Sequence, residues 1–365
     1  MLRVLYLLNH AGKAGTERYV YSLMENLHNK NIKAYFAYNE YGLLVKRVEQ
    51  LGVKTINVRM KKPWDLLAAK KIKKYCVENS IDIVHTHFQR ENFIAMLSKA
   101  LGSKVKVIYT NHIIMEKSTF MSLGNRLFSF LQDGVIAVCN EAKRMMIQNG
   151  ISEQKIEVIF NGVDVNRLLS VESFDLEKTL GIKKADFTIF CASRFDEGKG
   201  HKFLIHSIKR LKDISNKDYN CILANDGPIM EDCKALVKEL GIEDRVHFLG
   251  FREDVYNLMK ACDIYVTPSK QEALSFANLE VLALGAVLIA TKTGGNTDII
   301  NDDTDCGLLV EYDDVIGFSE TMKALMDDDK LMQKLSENTK KVVCEKFSLE
   351  KMVENTYNLY ERLRI

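Results

Sequence analysis

Short apolar runs alternate along the chain with stretches in which apolar residues recur every three or four positions. The runs at 3–8, 33–38, 81–87, 105–110 and 135–139 predict strands, as do those at 187–193, 220–224, 246–249, 264–267 and 287–291. Segments such as 17–30 and 231–240 have the helical period between them. Runs that stay apolar, without polar alternation, belong to strands buried on both faces, and strand–helix alternation predicts parallel sheets covered by helices. The alternation occurs twice, on either side of a polar, irregular stretch at 161–186 that reads as an interdomain connection. The expected fold is α/β, with two doubly wound, Rossmann-like domains (1–165 and 166–347) facing across a cleft that would hold a ligand at the C-terminal strand ends. Residues 348–365 follow, with apolar positions 349, 352, 353, 357, 360 and 363 on one helical face, predicting a terminal helix that docks back on the first domain.

With 365 residues, 47% of them hydrophobic, each domain can bury a sizeable core. A net charge of +2 argues against a general nucleic-acid binder. Eight cysteines are scattered singly without a C-x-x-C, which reads as reduced, buried thiols of a cytoplasmic protein rather than a zinc site or a disulfide frame. The apolar run at 2–8 is too short for a signal peptide and reads as a first strand, and no run approaches the ~20 residues that span a bilayer. The expected location is the cytoplasm, at most peripheral on the inner face of a membrane.

Glu272 and Glu280 sit eight residues apart around a predicted helix start near Phe276 or Asn278. Free N–H groups and the positive dipole end attract an anion such as a diphosphate there, leaving an acid on each side to accept from ligand hydroxyls. Such an arrangement suits a nucleotide-sugar; two ordinary surface glutamates are the other reading of the spacing. In 193–200, Arg194 and Lys199 flank a turn freed by Gly198 and Gly200, where two cations would neutralise a diphosphate or merely be solvated. Gly12 and Gly15 open the first predicted helix and allow close backbone approach to a ligand. His85 and His87 end one strand and read as a packing and hydrogen-bonding pair, whereas His112, ending the next, is the better catalytic candidate. The Asp303-Thr304-Asp305 triplet reads as a loop, not a metal site. Residues 59–75 hold seven cations and one acid. With a helix starting at Pro63 and one face formed by Trp64, Leu67, Ala68, Ile72 and Tyr75, they match either a helix lying on anionic lipid or a sheet-packing helix with a solvated lysine face.

Together these segments resemble the retaining glycosyltransferases of family 4, which have the GT-B fold, over nearly the whole chain. The resemblance rests on 243–269 ahead of the E-x7-E pair, the Gly-Gly turn at 294–295, Asn161-Gly162-Val163-Asp164, the 193–200 loop and Asn225-Asp226-Gly227-Pro228. It implies transfer of a hexose-type sugar from a nucleoside diphosphate donor, with UDP expected, to a glycan or lipid-linked hydroxyl in cell-surface polysaccharide or glycoconjugate synthesis. Arg194 and Lys199 would hold the diphosphate, Glu280 the ribose and Glu272 the donor sugar. Leu274, Ser275, Phe276 and Ala277 would present backbone amides, Gly15 would let the first domain close on the donor, and His112 would contact the sugar. Neither metal nor cofactor is expected, and retention would follow from front-face attack with the leaving phosphate taking the acceptor's proton.

Ala273 and Ser275 replace glycines usual after the first glutamate, which bears on donor choice, and Cys139 stands where serine is usual. The alternatives are a GT-B-like epimerase or phosphorylase, and a non-catalytic nucleotide-sugar-binding subunit of a membrane assembly docking through 59–75.

Overall fold

The computed structural model describes residues 1–12, 14–114 and 118–364. It divides into two compact units, one made of 1–161 with 349–365, the other of 162–348.

In the first unit the leading apolar run forms Leu2–His10 (β1), buried through most of its length. It is joined by Ile32–Glu40 (β2), Lys54–Asn57 (β3), Ile83–Thr86 (β4), Lys106–Asn111 (β5), Gly134–Ala137 (β6) and Ile156–Val158 (β7). These form one parallel sheet in the order β3-β2-β1-β4-β5-β6-β7. Leu5 and Leu7 of β1 pack in one core with Ala68, Ile72, Ile94 and Met96 of the covering helices.

The second unit repeats the scheme with Phe187–Ala192 (β8), Tyr219–Ala224 (β9), Val246–Gly250 (β10), Ile264–Thr267 (β11), Val287–Thr291 (β12) and Gly307–Val310 (β13). Their order is β10-β9-β8-β11-β12-β13, again parallel. Ile189, Leu223, Val266 and Ile289 meet Phe203, Ile208, Phe318 and Met322 in its core. In both sheets the order reverses beside the first strand, which opens a crevice at the C-terminal strand ends.

The terminal helix, Leu349–Arg364, belongs to the first unit. Tyr360 is fully buried, its hydroxyl 2.5 Å from Nδ1 of His85, and ion pairs Lys30–Glu354 and Arg362–Glu157 tie the helix down at its rim.

The sequence pattern missed β3, β7 and β13. All three are sheet edges with half-exposed residues, so they lack the continuous apolar run of a central strand. The helix expected from Pro63 begins instead at Leu66, because Asp65 caps it, accepting from the amides of Leu67 at 3.1 Å and Ala68 at 3.0 Å. The apolar face expected over 59–75 is also corrected. Ala68, Ala69, Ile72 and Cys76 turn into the core, where burial of Ile72 alone contributes roughly 1.5–3 kcal/mol, and Trp64 and Leu67 stay outside. Seven of the cysteines are buried as thiols, but Cys344 is exposed.

Candidate functional site

The loops after β8, β9 and β11 enclose a cavity of about 180 Å³ in the second unit. Ser193, Arg194 and Lys199 line it from the first loop, Asn225 from the second, and Ser269, Glu272, Ser275 and Ala277 from the third. Lys199 Nζ lies 2.7 Å from Glu272 Oε2, and the Ser269 hydroxyl donates to the same oxygen at 3.2 Å. The ammonium is thus held at the wall by a carboxylate that is itself held. Arg194 reaches outward: its guanidinium meets Asp196 at 3.2 Å and its side chain is 66% exposed.

Glycines bring these loops together. At Gly200 (φ +72°) an added Cβ would lie 1.9 Å from the Pro268 carbonyl oxygen, so only glycine lets the 193–200 loop close on the loop after β11, where the Lys270 amide also donates to the Gly198 carbonyl at 2.9 Å. At Gly295 the same atom would lie 2.0 Å from the Ala273 oxygen, so the Gly-Gly turn supports the Glu272 loop from behind.

The helix Phe276–Leu284 starts at this wall. Ser275 caps it, its hydroxyl accepting from the Asn278 amide at 3.4 Å, a role that glycine could not fill. Its first turn leaves N–H groups without helical partners, an electrostatic sink for a phosphate. Glu280 lies one turn inside, 4% exposed, and accepts from the Tyr256 hydroxyl at 2.7 Å. A buried relay fixes the helix start to the strand ends. Thr267 donates to Asn278 at 2.6 Å, Asn278 to Asn296 at 2.9 Å, and Asn296 to the Thr291 carbonyl at 3.0 Å.

Arg194, Lys199, Glu272, Ser275 and Ala277 therefore line one cavity. Glu280 is next to it but buried behind the helix, Leu274 is buried against the Gly-Gly turn, and Phe276 is the first helical residue outside the lining. His112 and Gly15 belong to the other unit. The sequence reading overlooked Tyr256, Ser269, Asn278 and Asn296. Ser269, directly after a strand, carried a positional signal; Tyr256, 24 residues from its partner, carried none. His201 was also missed. It stacks on Phe195 at 4.0 Å and meets the Ser193 hydroxyl at 3.2 Å, and burial lowers its pKa to about 4, so it buttresses the loop as a neutral ring.

In the first unit β4 and β5 end in a histidine cluster. His85 is completely buried between the Tyr360 hydroxyl and Thr110 Oγ1, at 2.5 and 2.6 Å. His87 Nδ1 lies 3.1 Å from His112 Nε2, with the rings near-parallel at 5.4 Å. Half-buried His112 stands edge-on to Tyr19 at 4.8 Å. Burial lowers the pKa of His85 and of His112 to about 3, and that of His87 well below the usual histidine value, with the neighbouring rings adding to the shift at His85 and His87. All three are neutral near pH 7. His85 and His87 pack together as expected, their ring centroids 4.5 Å apart, and His87 also partners His112. Gly15 is the first residue of the helix Gly15–Leu27, and Lys13 lies outside the described residues.

Comparison with known proteins bears on both units. Residues 173–342 match the family model of glycosyl transferases group 1, and residues 14–167 that of glycosyltransferase family 4. Over 273 residues the chain is 30% identical to the N-acetylgalactosamine-N,N'-diacetylbacillosaminyl-diphospho-undecaprenol 4-alpha-N-acetylgalactosaminyltransferase of Campylobacter jejuni, covering 72% of each chain. It is 28% identical over 293 residues to the UDP-Gal:alpha-D-GlcNAc-diphosphoundecaprenol alpha-1,3-galactosyltransferase of Escherichia coli, covering 76% of this chain and 75% of that one. Among solved structures, an Anabaena protein in complex with UDP superimposes with a TM-score of 0.86 at 19% identity, covering 99% of this chain and 100% of that chain. A glycosyltransferase from Rickettsia africae does so with 0.88 at 23% identity, covering 99% and 98%.

Proposed function

The chain belongs to family 4 of the glycosyltransferases and has their GT-B fold, and from that premise we propose that it moves a sugar from a UDP-sugar to a hydroxyl of a lipid-linked glycan, with retention at the anomeric carbon. One observation carries the donor half of this reading: Lys199, Glu272, Ser275 and Arg194 line one cavity at the start of the helix Phe276–Leu284. The UDP complex of the Anabaena protein supports the choice of nucleotide. The diphospho-undecaprenol acceptors named for the Campylobacter jejuni and Escherichia coli relatives support the acceptor class.

In this reading the diphosphate lies against the helix start, between Lys199 and Arg194. Breaking the bond from sugar to phosphate builds negative charge on the diphosphate, which the lysine, the guanidinium and the helix amides offset without rearranging, since Glu272, itself held by Ser269, already keeps the lysine in place. These fixed cations do the work that a metal would otherwise do. Glu272 accepts from sugar hydroxyls and Glu280, oriented by Tyr256, from the ribose. To His112 and Gly15 the reading assigns sugar contact and close backbone approach on the family resemblance alone. A neutral His112 donates or accepts one hydrogen bond without adding charge beside a ring that turns cationic. The leaving phosphate oxygen takes the acceptor's proton.

The reading includes peripheral contact with the membrane that holds the lipid. Among the described residues no helix is long and apolar enough to cross one. The test is a screen of UDP-sugars with polyprenyl-diphosphate glycan acceptors, with NMR of the product anomer. One UDP-sugar should give UDP release that depends on the acceptor, and an α-linked product from an α-linked donor. Acceptor-independent isomerisation of the donor, or UDP binding without turnover for every donor tried, would discard the transferase assignment.

A further inference from the structure

The first unit carries a second cavity, of about 390 Å³. Phe93, Met96 and Leu97 of the helix Gln89–Ala100 form one wall; Pro63 and Trp64 close one side, Gly124 and Phe128 of the helix Thr119–Phe128 the other. Among the described residues, Gln89 is the only lining residue with a side-chain amide, and none is charged. Apolar surface continues outward from this groove. Leu67 is 79% exposed, Phe130 71% and Trp64 68%, and Leu123 and Leu127 lie one turn apart on the outer helix. An apolar surface of this extent, running from a cavity, is seldom left uncovered. Beside it stand exposed cations: Lys61 and Lys62 directly precede Pro63 and Trp64, and Lys70 follows on the next helix. The nearby acid Asp65 is engaged as a helix cap.

This chemistry selects among occupants. A peptide in the groove would bury backbone amides opposite a single partner, Gln89. A second copy seated symmetrically would set Lys61 and Lys62 beside their own equivalents. A hydrocarbon chain ending in phosphate fits both the apolar walls and the cations. We propose that the groove takes the chain of the acceptor's own lipid anchor, an isoprenoid phosphate, with Lys61 and Lys62 meeting the phosphate. The inference rests on the lipid-linked acceptor of the reading above. It moves the lipid contact from a whole helix face, which is mostly in the core, to a groove shared by three segments.

Trp64 is the only tryptophan of the chain, so its emission reports on the groove directly. Farnesyl phosphate added as monomer to the full chain should shift Trp64 emission to the blue, saturably, with farnesol and inorganic phosphate each binding at least about tenfold more weakly. Gly124→Leu fills the groove where an added Cβ meets nothing within 4 Å, in a helix that gains from losing glycine. It should abolish the shift and leave UDP binding by calorimetry unchanged. Replacing Lys61 and Lys62 by Gln should bring farnesyl phosphate down to the affinity of farnesol. The proposal is overturned by an absent shift, or by a shift that Gly124→Leu does not reduce. It is equally overturned if isoprenoid-free anionic vesicles give the whole shift, or if the chain forms a dimer that buries Trp64. If UDP-sugars fail to bind while the shift persists, the donor reading falls and the groove stands; if UDP turnover is intact and the shift absent, only the groove assignment falls.

Discussion

In the second unit, the loops beyond β8 and β11 carry an ion pair and a cation: Lys199 and Glu272 pair at 2.7 Å on a cavity wall, and Arg194 remains mostly in solvent. In the first unit, the corresponding ends of β4 and β5 carry His85, His87 and His112, which burial keeps neutral. The same parallel-sheet geometry thus presents fixed charge in one unit and uncharged hydrogen-bonding rings in the other. In the proposed reaction, cations would offset the charge of a departing diphosphate, and a neutral His112 would add no positive charge beside a sugar ring that turns cationic. The contrast also teaches that solvation, more than residue type, sets what a strand end can do. Lys199 keeps about a third of its side chain in reach of water, whereas aromatic rings and the terminal helix close over His85.

The comparison breaks most sharply at Lys199. Lys199→Ala removes a preplaced cation, so kcat/KM for transfer should fall about 100-fold or more, measured by UDP release; a near-normal rate would mean that this loop does not hold the donor. Tyr256→Phe removes one hydrogen bond to Glu280, and UDP binding by calorimetry should weaken roughly tenfold, as expected for loss of a hydrogen bond to a carboxylate. His112→Asn should leave that affinity unchanged and lower turnover alone; equal losses in both would erase the division of labour between the units.

Acid acts on the histidine cluster of the first unit. His85 has a folded pKa depressed to about 3, so between the usual histidine value near 6.5 and that pKa the unfolded chain binds a proton that the native chain refuses. This group's contribution to stability should be constant above about pH 7 and be lost as pH drops from 6.5 toward 4. His85→Gln should flatten that dependence by about one proton in urea titrations at several pH values. An unchanged slope would show that His85 titrates normally. The smallest effect is expected at the helix cap: Ser275→Ala should lower stability by about 1 kcal/mol and Ser275→Gly by only a few tenths, read from the urea midpoint.

Much of the cavity at the start of the helix Phe276–Leu284 could be read from the chain because its signals are local. Arg194, Lys199 and the glycines between them lie within one loop, and Glu272 and Ser275 within another. Each loop directly follows an apolar strand, which fixes where it must emerge. Tyr256 could not be found this way, since its pairing with Glu280 depends on how two helices meet. The edge strands were illegible for a different reason: a strand with one neighbour and open faces, such as Lys54–Asn57, needs no apolar run. The segment 59–75 had the right residues for a lipid contact, but its helical register was set by the Asp65 cap, and that register put Ile72 inside and Leu67 outside.

The alternation of apolar runs and helical periods determined by itself that this chain forms two parallel sheets, because continuous burial on both faces leaves no other economical arrangement for such strands. The spacing of charged residues after those strands determined which loops bear the chemistry. Only the tertiary structure decided that Glu272 steadies Lys199, that Glu280 leans on Tyr256, that His87 is joined to His112, and that Trp64 opens onto a groove walled by residues some thirty and sixty positions further along. Those pairings join segments far apart in the chain, and they are set by how helices and strands pack, which no local pattern encodes.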